Sequence, residues 1–122
     1  MKPMIRSEVL VKVMDEATLR VMSGTERPYE IAIEACADLV HLTPDQESDA
    51  SWNAYVLWIE LTDLVDFLDG PEAEELCNEL AEELSRRWLA LVDRLDESVQ
   101  NAFMTEFSAV IRKRVLEYRA TH

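Results

Sequence analysis

The feature that most constrains the fold is a run of apolar residues at a spacing of three and four between residues 73 and 95. The run comprises Ala73, Leu76, Cys77, Leu80, Ala81, Leu84, Trp88, Leu91, Val92 and Leu95. Most of the intervening positions are charged. This spacing places the apolar side chains on one face of an α-helix and predicts an amphipathic helix of about seven turns. Such a helix is stable only when its apolar face packs against other elements.

Two further helices are predicted near the start of the chain. The first is capped by Ser7, stops at Gly24 and carries an inward stripe of Leu10, Val13, Met14, Ala17, Val21 and Met22. Because valines alternate over residues 8–13, a strand is the alternative there. The second opens at Pro28, with Thr25 before it, and ends near residues 41–42. Its apolar face is Tyr29, Ala32, Ile33, Cys36, Leu39 and Val40.

The remaining two helices are predicted on either side of the 73–95 run. Thr43 and Pro44 form a helix start, and Ser51 is a second candidate cap. The helix over residues 52–68 is apolar almost all round at residues 54–59, which predicts burial on more than one side. Gly70 and Pro71 end it. Asp96 or Ser98 then caps a last helix with an inward stripe of Val99, Phe103, Phe107, Val110, Ile111, Val115 and Tyr118.

These helices together predict an all-α, single-domain bundle of four to five antiparallel helices over residues 1–122, with residues 1–6 as a loose N-terminus. Two glycines and four prolines are too few for the many turns of an all-β fold. Short connections between long amphipathic helices favour antiparallel neighbours.

Charge and composition exclude several classes of function. A net charge of −13 argues against direct binding of nucleic acid or of an anionic membrane surface. No apolar run approaches the ~20 residues that span a bilayer, and charged residues near the start interrupt any export signal. We therefore expect a cytoplasmic protein. In that compartment Cys36 and Cys77, both at apolar helical positions, are expected to be reduced core residues.

The negative charge is concentrated in residues 28–85, which hold 16 carboxylates and no Lys or Arg. At the average composition of this chain, a stretch of that length would hold about six basic residues. Residues 1–27 have five basic and four acidic side chains, and residues 86–122 have seven and five. The acids recur at helical spacing, so they repel one another at roughly 0.2–0.5 kcal/mol per close pair. Arg86 and Arg87 are the first cations able to pair with them, at Glu82 and Glu83.

This concentration predicts a surface that binds a basic protein, centred on residues 60–83. The candidate partner-binding residues are Glu60, Asp63, Asp66, Asp69, Glu72, Glu75, Glu79 and Glu82, together with Trp52 and Tyr55 as aromatic anchors. Trp58 extends the aromatic spacing, and burial of all three rings in the core is the alternative. For the acids, the alternative is a solvated face that only confers solubility.

The first functional hypothesis is a non-enzymatic acidic helical binding protein. Inhibitors, immunity proteins, antidefence proteins that imitate nucleic acid and secretion chaperones are of this type. The basic partner would then be a nucleic-acid-handling enzyme, a toxin or an effector. A homo-oligomeric regulatory domain, with a homodimer through the apolar surplus of the third helix, is a further hypothesis.

An enzyme is the remaining hypothesis, namely a Mg²⁺-dependent all-α nucleotide pyrophosphohydrolase. Enzymes of that class hold Mg²⁺ with carboxylates three residues apart, a spacing present here at residues 60/63, 72/75 and 79/82. The order of these pairs departs from that family's pattern.

No cofactor is indicated, because Asp38 and His41 form a single carboxylate–histidine pair and neither cysteine has a basic residue near it to activate the thiol. The basic residues 112–114 suit the negative end of a helix dipole, and a contact with the acidic face of another copy of the chain is the alternative.

Overall fold

The computed structural model describes residues 6–41 and 50–122. Within these ranges the chain forms five α-helices and no strand: α1 Arg6–Ser23, α2 Pro28–Val40, α3 Ala50–Phe67, α4 Glu72–Leu89 and α5 Glu97–Thr121. The prediction of an all-α helical bundle is confirmed. The predicted start at Thr43 and Pro44, and residues 1–5 of the loose N-terminus, lie outside the described residues. Residues 8–13 are helical, so the alternative of a strand there is wrong.

Several helix ends lie where the sequence predicts them. Gly24 follows α1 with φ 71°, and Gly70 follows α3 with φ 97°, conformations that glycine adopts at low cost. Pro28 is the first residue of α2, although Arg27 and not Thr25 stands at the N-cap position. Asp96 caps α5, since its carboxylate accepts a hydrogen bond from the Ser98 amide at 2.8 Å. Ser51 is not a cap, because α3 begins one residue before it.

The fourth helix is shorter than its apolar pattern predicts. It ends at Leu89 after 18 residues, and Asp93 in the following loop has φ 58°. Val92 and Leu95, which were expected on the inner face, are 76% and 57% exposed. Residues 90–95 form a loop that turns the chain before the Asp96 cap. The apolar residues of this loop match the helical repeat in their spacing although the backbone there is not helical, so the pattern runs past the end of the helix.

The core is built around two fully buried indole rings, Trp58 of α3 and Trp88 of α4. The Trp88 indole N–H donates to Asp15 Oδ1 at 2.8 Å, and the Trp58 indole N–H lies 3.1 Å from Met14 Sδ. Both ring nitrogens therefore find partners on α1, which fixes α1 against α3 and α4. No helix in residues 6–41 or 50–122 has the length and hydropathy needed to cross a membrane.

The buried face of α2 differs from the predicted one. Ile31 and Ala35 are buried beside the expected Ala32 and Leu39, whereas Ile33 is 45% exposed. Val40 and, on α1, Met22 are each 44% exposed. The prediction was wrong at these positions because both helices carry more apolar residues than one stripe can hold. Periodicity alone then does not select which stripe is buried.

Helices α3 and α5 lie side by side and run in the same direction. Asn53 donates to Asn101 at 2.9 Å, Ser108 to Glu60 at 2.5 Å, and the Tyr118 hydroxyl to the Asp69 carbonyl at 2.5 Å. Each contact joins residues 48 or 49 positions apart, so residue numbers rise together along the two helices. The expectation of antiparallel neighbours rests on short connections, and it does not describe this pair because α3 and α5 are not consecutive.

Candidate partner-binding surface

The outer face of α4 presents the most regular group of carboxylates. Glu72, Glu75, Glu79 and Glu82 are all exposed, while Ala73, Leu76, Cys77, Leu80, Ala81 and Leu84 form the buried stripe of the same helix. Positions three, four and three residues apart lie one above another along a helix. These four glutamates, called the α4 acidic face below, therefore form a continuous row of negative charge on the surface.

Basic residues neutralise the acids of α4 unevenly. Arg114 of α5 pairs with Glu79 at 2.7 Å, and Arg87 pairs with Glu83 at 2.6 Å. Arg27 binds Glu74, and its hydrogen bond lowers the pKa of that carboxyl. Within the described part of the chain, Glu72, Glu75 and Glu82 form no ion pair. The predicted pairing of Arg87 with Glu83 is confirmed, whereas the predicted pairing of Arg86 with Glu82 does not form in the described residues. Three members of the α4 acidic face are therefore without a counter-charge there.

The acids of α3 do not continue the α4 acidic face. Glu60 accepts a hydrogen bond from Ser108 of α5, and burial raises the pKa of its carboxyl against the opposing effects of Ser108 and Arg112. Arg112 therefore lies on the α3 side of α5, whereas Arg114 contacts α4. Side chains two positions apart in a helix, such as those of Arg112 and Arg114, point in directions about 200° apart. The acids near Glu60 and those near Glu79 thus lie on different sides of α5.

The other α3 acids are tied to different neighbours. Asp63 is half-buried, and burial, followed by the charge of Asp66, raises the pKa of its carboxyl. Asp66 accepts a hydrogen bond from the Tyr29 hydroxyl of α2 at 2.7 Å, which raises the pKa of that phenol. Asp69 is exposed at the turn after α3. The predicted acids are thus divided among four places. Glu60 and Asp63 lie between α3 and α5, Asp66 contacts α2, and Asp69 lies in the turn, whereas the other four form the α4 acidic face.

The aromatic residues at 52, 55 and 58 are also divided. Trp58 is fully buried, whereas Trp52 and Tyr55 are partly exposed, with ring centroids 5.8 Å apart and planes at 41°. Trp52 and Tyr55 therefore form an aromatic pair at the surface of α3, and Trp58 belongs to the core. The predicted anchors Trp52 and Tyr55 are therefore accessible, whereas the alternative prediction, burial in the core, is correct for Trp58.

A groove between α3 and α5 has no counterpart in the sequence-based prediction. It has a volume of about 570 Å³ and is lined on α3 by Glu60, Asp63, Leu64 and Phe67, and on α5 by Ile111, Arg112, Val115, Leu116 and Arg119. Phe67 is 74% exposed and Leu116 is 67% exposed. The sequence signal was the excess of apolar residues in the third helix, but the α5 wall is recognisable only from the side-by-side packing of the two helices.

Comparisons with protein-family models, with curated proteins and with solved structures found no match.

Cys36 and Cys77 are free and buried, as predicted for core residues, and burial raises the pKa of each thiol to about 12. A thiol with that pKa is almost entirely protonated at neutral pH and is a poor nucleophile. Among residues 6–41 and 50–122, no three side chains of His, Cys, Asp or Glu are grouped so that they could hold a metal ion.

Proposed function

We propose that this chain is a non-enzymatic acidic binding protein, and that the α4 acidic face binds a basic protein partner. The observation that supports the proposal is that three of its four glutamates, Glu72, Glu75 and Glu82, are exposed without an ion pair in the described ranges, while neighbouring acids have one. An inhibitor, an immunity protein, an antidefence protein that imitates nucleic acid and a secretion chaperone all fit this description.

The physical basis is electrostatic. Carboxylates three or four residues apart on a helix repel one another by roughly 0.2–0.5 kcal/mol per pair. A partner with lysine or arginine side chains at matching positions relieves that repulsion when it docks. The field of a protein with net charge −13 also attracts a basic partner from solution and accelerates encounter. Trp52 and Tyr55 lie on α3, so they would serve this complex only where the partner extends beyond α4.

The proposal is tested by affinity capture from the native host with three forms of the protein. The test variant is Glu72→Gln/Glu75→Gln/Glu82→Gln. The matched control is Glu16→Gln/Asp38→Asn/Glu106→Gln, which removes the same charge from exposed positions on α1, α2 and α5. We expect wild type and control to capture the same basic protein and the test variant to lose it.

Folding of the variants is checked by thermal unfolding. We expect the stability of each triple variant to change by less than about 1 kcal/mol, because surface substitutions are usually small in effect. Capture of one basic protein in equal amounts by all three forms would show that the α4 acidic face is not the site. Absence of any specific basic protein in the wild-type sample also counts against the proposal.

A metal titration separates the binding protein from the pyrophosphohydrolase hypothesis. Calorimetric titration of the wild type with Mg²⁺ and with Mn²⁺ is expected to give no saturable heat up to millimolar metal. The enzyme hypothesis requires binding that is lost when the carboxylate pairs at residues 60/63, 72/75 and 79/82 are changed to amides in turn. Saturable binding that one such change abolishes would contradict the proposal of a non-enzymatic protein.

A further inference from the structure

The groove between α3 and α5 has two large apolar side chains at its mouth. Phe67 and Leu116 are among the most exposed large hydrophobic residues in the described chain, at 74% and 67%. They lie on facing walls of one groove, together with Leu64 and Val115. A contiguous apolar surface of this kind, rimmed by charge, is typical of an interface.

The two walls of the groove have opposite charge. Glu60 and Asp63 are on the α3 wall, and Arg112 and Arg119 are on the α5 wall. Arg112 donates to Ser108 Oγ at 3.2 Å, and within the described residues neither arginine forms an ion pair. A surface with one acidic and one basic wall is complementary to a copy of itself that is turned so that the walls exchange places.

The register of the two helices makes this exchange specific. The hydrogen bonds to α5 from α3, and from Asp69 in the turn after it, join residues 48 or 49 positions apart, so such residues lie at about the same level along the groove. Asp63 is therefore level with Arg112, and Phe67 is level with Leu116. A two-fold axis parallel to the helices moves α3 of one copy onto α5 of the other without a shift along the groove.

We propose that two copies of the chain associate through the α3–α5 groove about this two-fold axis. Asp63 of each copy then meets Arg112 of the other, and Phe67 of each copy packs on Leu116 of the other. An axis perpendicular to the helices would instead place α3 on α3, with acids against acids, which costs free energy. The α4 acidic face lies on the other side of α5, so it stays accessible in the dimer.

The two substitutions that test this arrangement are Asp63→Arg and Arg112→Glu. In a dimer of either single variant, like charges meet at both symmetry-related contacts, and we expect the dimer Kd to rise by about tenfold or more. In a heterodimer of the two variants, one contact joins the two substituted side chains and the other joins the original pair, so opposite charges meet at both. We therefore expect mixing to restore the dimer, measured by sedimentation velocity with one variant fluorescently labelled.

Apolar variants supply a second, independent test. Phe67→Ser is expected to weaken the dimer by about tenfold or more. Val92→Ser is the matched control, because Val92 is exposed to a similar extent but lies in the loop after α4. A wild type that sediments as a monomer throughout the micromolar range, a mixture of the two charge variants that stays monomeric, or equal effects of the Phe67 and Val92 changes would overturn the proposal.

Discussion

At the scale of single residues, Glu60 has the most unusual environment among the acids of α3. Its carboxylate accepts a hydrogen bond from Ser108 at 2.5 Å and is half-buried between α3 and α5. Burial raises the pKa above the usual glutamate value of 4.5, although Ser108 and Arg112 oppose the shift. The folded protein therefore holds the proton of Glu60 more tightly than the unfolded chain does.

This difference predicts how Glu60 affects stability as the pH changes. Below the unfolded value of 4.5 both states are protonated at this site, and Glu60 costs nothing. As the pH rises from the unfolded value to the raised folded pKa, the unfolded chain releases its proton first and the folded protein loses stability, and above the folded pKa the loss is complete. We expect Glu60→Gln, which stays neutral, to be more stable than wild type at neutral pH and equal to it below the unfolded value.

The measurement is urea unfolding of both proteins at neutral and acidic pH, at protein concentrations low enough to keep them monomeric. Glu106→Gln on the exposed side of α5 is the control for the general effect of removing one negative charge. A Glu60→Gln protein that is less stable than the control at neutral pH would mean that the ionised carboxylate stabilises the fold.

At the scale of helices, the positions where helices begin and end were predictable from the sequence, whereas the faces that are buried were less predictable. Gly24, Gly70 and Asp96 mark helix ends because a positive φ or a side-chain cap is needed at each, and these are properties of single residues. The end of α4 was missed because an apolar spacing of three and four continues through the loop to Leu95. Burial of Ile33 was predicted wrongly for a related reason, since α2 has apolar residues around most of its circumference.

The two glycines provide a prediction at this scale. Gly24 has φ 71° and open space around it, whereas a Cβ at Gly70, with φ 97°, would lie 3.0 Å from Glu72 Oε2 and 3.1 Å from the Tyr118 hydroxyl. Alanine at either position is strained by roughly 1–2 kcal/mol. At Gly70 it also disturbs the hydrogen bond from Tyr118 to the Asp69 carbonyl.

We therefore expect Gly70→Ala to reduce the free energy of unfolding by about 1 kcal/mol more than Gly24→Ala does. Chemical denaturation of the two variants measures the difference. Tyr118→Phe/Gly70→Ala should lose little beyond Gly70→Ala, since the hydrogen bond is already weakened. Equal destabilisation by the two single glycine variants would contradict a close contact between the turn and α5.

At the scale of the whole molecule, the helical class was predictable, but the grouping of charges was not. Residues 28–85 contain no Lys or Arg, yet Arg27 and Arg114 reach into that stretch from outside it and pair with Glu74 and Glu79. The α3–α5 groove was unpredictable for the same reason, because its walls are 48 or 49 residues apart in sequence. Regular spacing on α4, by contrast, was sufficient to predict its outward row of glutamates.

Binding of a basic protein by the α4 acidic face is the function that we propose for the whole molecule. Its most direct test is titration of the captured basic partner, over a series of salt concentrations, with wild type, the Glu72/Glu75/Glu82 triple variant and the matched control. Salt screens exposed charges, so binding through this face weakens as salt rises. We predict that the triple variant binds about tenfold or more weakly at low salt, with a shallower salt dependence, and that the control stays within about twofold of wild type. Equal losses for the triple variant and the control would attribute binding to net charge alone, and no loss for either would contradict the claim.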